Sequence, residues 1–179
     1  MVVISGPPSG AIRNKPITPE SRQLLTSAAQ TANVDAIVIT SGGQDALGEG
    51  TRRAGSTRHD RGRAADLQLV VDGSTISFTD QSAPPVYLAF VTAGAAAGAI
   101  GIGAGVGYMG NQTIHVGYGT SLNDTTHLTW GTGGRSVNAP QRLRDAAQGG
   151  LVHANQWCDR RSRRRPDTRP LRRNCAPPA

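Results

Sequence analysis

In the stretch STRHDRGRAADL, residues 56–67, a histidine and an aspartate stand seven positions apart, with Gly62 and Ala64 between them. The chain is otherwise poor in reactive side chains, so this pair is the first candidate for chemistry. A strand is expected to open at the end of the stretch. Its alternation puts Asp66, Gln68 and Val70 on one face and Leu67, Leu69 and Val71 on the other, so the carboxylate points off the core side. TIHVGYG, residues 113–119, alternates in the same way, with His115 and Gly117 on one face and Ile114, Val116 and Tyr118 on the opposite one. If the two strands are antiparallel neighbours, Asp66 and His115 face each other at about 5 Å between Cβ atoms, near enough to share an ion. His59, at the end of the preceding loop, would supply a third ligand. Two imidazoles and one carboxylate suit Zn²⁺, and three protein ligands leave a fourth position for water, as in catalytic zinc sites. Calcium would ask for more oxygen ligands. Gly62 and Ala64 are expected to let the backbone turn tightly against the metal, and Gly117 to leave room for a substrate backbone.

The elements that must position these groups can be read from the pattern. PITPESRQLLTSAAQTANVD predicts a helix with Thr18 as N-cap, Pro19 at its first position, Glu20 in its first turn, and Leu24, Leu25 and Ala28 on its buried side. AIVIT, residues 36–40, reads as a buried strand. The loop over residues 41–64 is glycine-rich and polar, and too long for a passive connector. ADLQLVVDGSTISF reads as a hairpin turning at Asp72-Gly73. The apolar run from Pro84-Pro85 onward raises a transmembrane reading, but its second half is mostly glycine and alanine, and a buried helix of about 14 residues ending at glycines accounts for it without lipid. GIGAGVG fits G-x-G-x-x-G in no register, which argues against a dinucleotide site. HLTWG suggests a further short strand, and APQRLRDAAQGG a short terminal helix stopping at Gly149-Gly150. No internal repeat is visible.

With 179 residues and 37% hydrophobic content, the chain suits one compact domain, and aromatics at 4% leave its core to Ala, Val, Ile and Leu. The expected fold is α+β: a small central antiparallel sheet with flanking helices over residues 1–150, its zinc site on the open face, followed by a disordered, Arg-rich tail over residues 151–179. The net charge of +7 is carried mainly by that tail, which holds 8 Arg against 2 Asp, whereas residues 1–150 hold 11 Lys and Arg against 10 Asp and Glu. The tail should seek anionic cell-envelope polymers such as teichoic acid, lipopolysaccharide or an acidic membrane face. Nucleic acid ranks last, since only Trp157 is interleaved for stacking. Cys158 and Cys175 both lie in the tail and fix no compartment. MVVISGPPSG lacks a basic n-region, so no secretory signal is expected.

The spacing Thr57-x-His59-x-x-Gly62-x-Ala64-x-Asp66 resembles the S-x-H-x-x-G-x-A-x-D signature of the zinc D-alanyl-D-alanine carboxypeptidases and related peptidoglycan endopeptidases, with Thr for Ser. ITSGGQ is similar to that family's SG-Y-R-S strand end, and GVGYMGNQTIHVG to its G-x-G-Y…H-V-D segment; the resemblance covers roughly residues 18–147. It implies His59, Asp66 and His115 as zinc ligands, Thr57, Trp130 and an arginine (Arg53, or else Arg52 or Arg58) as substrate contacts, and hydrolysis of peptidoglycan amide bonds. The family's substrate-contacting arginine falls on Gln44. Its general base falls on Gln112 or Gly117, neither of which takes a proton, so Asp124 is the candidate base. Asp124-Thr-Thr-His127 also has D-x-x-H spacing, which leaves His127 as an alternative third ligand. The implied protein is a monomeric phage-lysin-like enzyme made in the cytoplasm and acting on the cell wall after release; the alternative is a non-catalytic, metal-containing wall-binding or virion assembly protein.

Overall fold

Thr18 starts the first helix as expected: its side chain accepts a hydrogen bond from the Ser21 amide at 3.1 Å, and Pro19 stands at the first position, where no amide is needed. The computed structural model describes residues 1–50, 53–121 and 123–162, with side chains to residue 151. In chain order the elements are β1 (Val3–Ser5), α1 (Pro19–Thr31), β2 (Ala36–Ser41), a 3₁₀ turn at Thr57–His59, β3 (Ala64–Val71), β4 (Ser74–Thr75), α2 (Pro85–Ala96), β5 (Gly101–Gly105), β6 (Gly110–Gly117), β7 (Leu128–Trp130), two further 3₁₀ turns and α3 (Gln141–Ser162).

The fold is α+β, but the sheet is larger than expected and mixed. Seven strands run in the order β1-β2-β3-β6-β5-β7, with β4 paired to β3. β1 lies parallel to β2 and β7 parallel to β5, while the β2–β3, β3–β4, β3–β6 and β5–β6 pairings are antiparallel. The expectation of a small antiparallel sheet therefore fails on two strands that the side-chain pattern hides. β1 is only three residues long, and β5 is GIGAG, whose glycines carry no alternation signal. The helix from Pro85 is shorter than expected and ends at Ala96, so the glycine-rich remainder returns as β5.

One face of the sheet is the core. Ile37, Ile39, Leu67, Leu69, Ile102, Ile114 and Val116 pack there against Leu24, Leu25 and Ala28 of α1, Phe90 and Val91 of α2, and Leu143 of α3. Each of these side chains other than that of Ala28 removes enough apolar surface from water to contribute about 1.5–3 kcal/mol. No helix among the described residues is long and apolar enough to cross a membrane. α3 continues through Gly149-Gly150 instead of stopping there, because Gly150 sits where α3 packs closest on α2: a side chain at that position would run into Thr92 and Ala95. The helix thus crosses the boundary expected at residue 150. Arg52, the arginines from residue 163 onward and Cys175 lie outside the described residues, as do the side chains of His153, Trp157 and Cys158.

Candidate metal centre

The face of the sheet away from the helices carries one continuous rung across five strands. Ser41 pairs with Asp66, Asp66 with His115, His115 with Gly103, and Gly103 with Trp130. The expected register of Asp66 against His115 is therefore present. The neighbouring rung is almost bare: Ala64 faces Gly117, which faces Gly101. This shallow floor lets the Thr57–His59 turn lie across the sheet and bring His59 over the same point.

His59 Nε2 lies 3.4 Å and His115 Nδ1 2.9 Å from the same oxygen, Asp66 Oδ1. The two imidazoles meet edge to face, with ring centroids 4.8 Å apart. Four ligands at 2.0–2.1 Å around a tetrahedral zinc stand about 3.3–3.4 Å from one another, so both separations lie near what one ion requires. Both histidines are buried, whereas the Asp66 side chain keeps 18% of its surface exposed, so the cluster is not fully sealed from solvent.

Protonation argues for a cation between these atoms. His59 Nδ1 lies 2.8 Å from the Gly42 carbonyl, which only accepts, so this nitrogen carries the proton. In the neutral ring Nε2 then turns its lone pair on a carboxylate oxygen. That contact is repulsive by itself, and a divalent ion held between the two atoms would relieve it; a backbone carbonyl taking the other ring proton is the usual outer partner of a histidine ligand. Burial pushes His115 down to about 4 against the pull of Asp66, leaving it neutral near pH 7 with a lone pair to give. Its Nε2 is buried with no partner, so protein hydrogen bonds alone do not complete the cluster. Burial would raise the Asp66 carboxyl, but the hydrogen bond from His115 and the polar surroundings of the pair outweigh it and hold the carboxyl well below the usual range. His59, Asp66 and His115 form a group able to hold a metal ion, and no other such group occurs among the described residues.

Two supports of this cluster escaped the sequence reading. Arg13, thirteen residues from the N-terminus and within no motif, donates through Nη1 to Asp66 Oδ2 at 3.3 Å and to Ser41 Oγ at 3.1 Å, while its Nε holds the Ala54 carbonyl at 3.2 Å. It fixes which carboxylate oxygen is turned towards the histidines. Arg13→Ala is expected to lower metal affinity about tenfold to a hundredfold, the usual cost of losing an outer-shell partner; isothermal titration of the full chain measures it.

The second support is a buried latch. Gln44 Nε2 donates to Ser56 O at 2.9 Å and to Asp60 Oδ1 at 2.7 Å, its Oε1 accepts from the Ala54 amide at 3.1 Å, and its backbone amide donates to His59 O at 3.1 Å. Arg53 Nη2 reaches both oxygens of Asp60 at 2.9 Å. Gln44 therefore anchors the loop that carries His59, at the position where the resemblance would place a substrate arginine.

Gly62 is required for a reason other than the expected one. Its φ is +74°, and a Cβ there would stand 2.6 Å from the Pro16 carbonyl, so the constraint comes from the chain entering α1 and not from a metal. Likewise a side chain at Gly117 would meet Ala64, which already fills the space expected for substrate.

A cleft of about 370 Å³ opens over the cluster, lined among others by Arg13, Arg58, His59, Asp66, Tyr108, His115 and Trp130. Trp130 lies flat on Gly103 with its ring 4.9 Å from that of His115, and Arg58 stacks on Trp130 at 4.9 Å. The remaining expected site residues are not brought to this cleft. Arg53 is tied to Asp60, and Thr57 is exposed at the start of its turn. Gln112 belongs to the core-side set of β6 and bonds Ser77. Asp124 accepts hydrogen bonds from the amides of Thr120 and Thr126, which hold it down to about 2 as a loop brace. His127 lines a separate cavity with Ala95, Ile102 and Leu151, which removes it as an alternative ligand.

Fold and site together define an α+β domain with an open His-Asp-His cluster on the solvent side of its sheet. Compared with known proteins, the chain matches no family, no curated protein and no solved structure.

Proposed function

We propose that the protein is a zinc-dependent peptidase that hydrolyses amide bonds in peptidoglycan stem or cross-link peptides, in the manner of a phage endolysin. The observation that carries this reading is the convergence of His59 Nε2 and His115 Nδ1 on Asp66 Oδ1 at the floor of an open cleft. The spacing of His59 and Asp66, which resembles the zinc peptidase signature, supports the same class. Two nitrogens and one oxygen favour zinc over the oxygen-seeking cations. A bound zinc ion would supply a Lewis acid for a peptide carbonyl and a water acidified towards pKa of about 7. The chain's own part is to hold that donor set rigid and to seat the peptide between Arg58 and Tyr108. The Arg-rich end would keep the enzyme on anionic wall polymers, an attraction that salt weakens.

The test is release of muropeptides from purified cell walls, followed by turbidity and mass spectrometry. Release is expected from the zinc-loaded full chain and not after chelation or in His59→Ala; undiminished release under chelation contradicts the reading.

A second reading has an observation in its favour. Asp66 is the one carboxylate lining the cleft among the described residues, so no second acidic group stands ready to carry the proton to the leaving amine. A metal-containing wall-binding or virion assembly protein would have that composition. One zinc per chain with no peptide released from walls of several compositions would favour it.

A further inference from the structure

The outer edge of β7 is open. Only β5 pairs with this strand, and the Leu128 amide donates to Ile100 O at 2.8 Å, so Leu128 and Trp130 carry the ladder to β5. Backbone groups alternate in direction along a strand, which turns the N–H and C=O of Thr129 away from β5. Those of His127, one residue before the strand, also lack a backbone partner among the described residues. The edge closes only at Gly131, whose amide donates to Arg135 O at 3.2 Å. His127 and Leu128 are exposed, so no other element among the described residues covers this run. Unpaired edges are commonly blunted by lysine, proline or a bulge, and HLTWG has none of these. A cavity lies directly beneath. Thr129 shares its rung with the core residue Ile102, so its side chain turns to the helix face, where it and His127 line a space of about 180 Å³. Buried Ala99, Ile102 and Ala147 form its floor, and the exposed Arg144 stands at its mouth. That volume falls below the roughly 300–1,000 Å³ of small-molecule sites and suits one medium apolar side chain. On the opposite face Leu128 is 37% exposed, and Val137, on the turn packed against β7, 79%.

We infer that the outer edge of β7 is a docking site for an extended, acidic segment of a partner protein, which adds a strand to the sheet at His127 and Thr129 and lays one apolar side chain in the cavity. Strand addition draws affinity from main-chain hydrogen bonds and selectivity from a pocket that takes alternate side chains, and this edge offers both. Charge selects the partner. Arg144 donates only to the neutral Ala139 O and Gln141 Oε1, and neither it nor Arg135 has a carboxylate at ion-pair distance among the described residues. The acids on either side in sequence are occupied: Asp124 accepts from the amides of Thr120 and Thr126, and Asp145 from Gln141. A second copy docked by the same edge would bring these arginines against their own kind, whereas carboxylates on a partner strand would answer them. Strands lie about 4.8 Å apart, so the added strand, three places from β6, runs about 14 Å from His115. The docking site is therefore independent of the metal and of either reading of the metal centre.

The probe is the pentapeptide Glu-Val-Leu-Val-Glu, carrying fluorescein at its N-terminus and an amide at its C-terminus, with binding to the full chain followed by fluorescence polarisation. Saturable binding is expected, unchanged by a chelator. Alanine in place of the central leucine should weaken it about tenfold, and lysine in place of both glutamates about tenfold at low salt. Methylating the alternate set of backbone nitrogens that faces β7 should abolish binding, and methylating the other set should leave it. On the protein, Ala147→Leu fills the cavity, and Thr129→Pro removes an outward N–H, a change that edge strands tolerate; each should weaken binding about tenfold or more. Hydrogen exchange at Thr129 should slow in the complex. Absence of binding, equal binding of the leucine and alanine peptides, or indifference to both methylated sets overturns the proposal. So does a dimer in analytical ultracentrifugation that Thr129→Pro dissolves, since the edge would then belong to a second copy.

Discussion

Replacing His59 or Asp66 with alanine is expected to weaken zinc binding by more than about a hundredfold, a larger loss than outer-shell changes bring. Each supplies an atom for which the structure offers no substitute, since no other metal-holding group exists among the described residues. The effect extends to stability, because an ion that binds only the folded chain adds about 2.7 kcal/mol at one hundred times its dissociation constant. For a domain of this size that is a rise in melting temperature of roughly 5–10 °C. Asp66→Asn provides the sharper control: it keeps the shape and a hydrogen-bond acceptor but loses the charge, so its melting temperature should not respond to zinc. Thermal melts with and without equimolar zinc measure this, and an equal rise in wild type and Asp66→Asn would place the ion elsewhere.

The second large effect is expected far from any ligand atom. Asp60→Ala removes the acceptor shared by Gln44 and Arg53, leaving a guanidinium whose Nε is already buried without a partner. Breaking a buried ion pair on one side costs about 3–5 kcal/mol, and the partial exposure of Arg53 puts this case near the lower figure. A melting temperature lower by roughly 6–12 °C follows. The double replacement Asp60→Ala with Arg53→Met should recover much of the loss, since the stranded charge is then gone too; urea unfolding of the wild type and the two variants gives the comparison. Zinc affinity should fall with the single change as well, because the latch carries the chain that ends in His59.

Much of the metal cluster was legible because its information is local. The seven-residue interval between His59 and Asp66 stands in the sequence itself, and a two-residue period turns Asp66 and His115 away from the apolar side; the pairing of their strands was a supposition that the fold supplies. Arg13 was not legible, since its partners Ser41, Ala54 and Asp66 are distant in the chain and joined only by the finished fold. Gln44 and Asp60 were hidden in a polar loop where nearly every side chain looks solvated. β5 was hidden for another reason: its glycines exist so that Arg58 and Trp130 can lie on them, and a strand that serves as a floor shows no alternation of its own. The end of α3 was misread because glycine usually closes a helix, whereas Gly150 is where α3 must pass close to α2.

We propose that His59, Asp66 and His115 hold one zinc ion together. X-ray absorption at the zinc edge on the full chain, with metal content measured on the same sample, tests it most directly. One zinc per chain is expected, in a shell of nitrogen and oxygen at about 2.0–2.1 Å with scattering from two imidazoles. A shell containing sulfur at about 2.3 Å, as Cys158 and Cys175 would give, or no zinc retained at all, would contradict it.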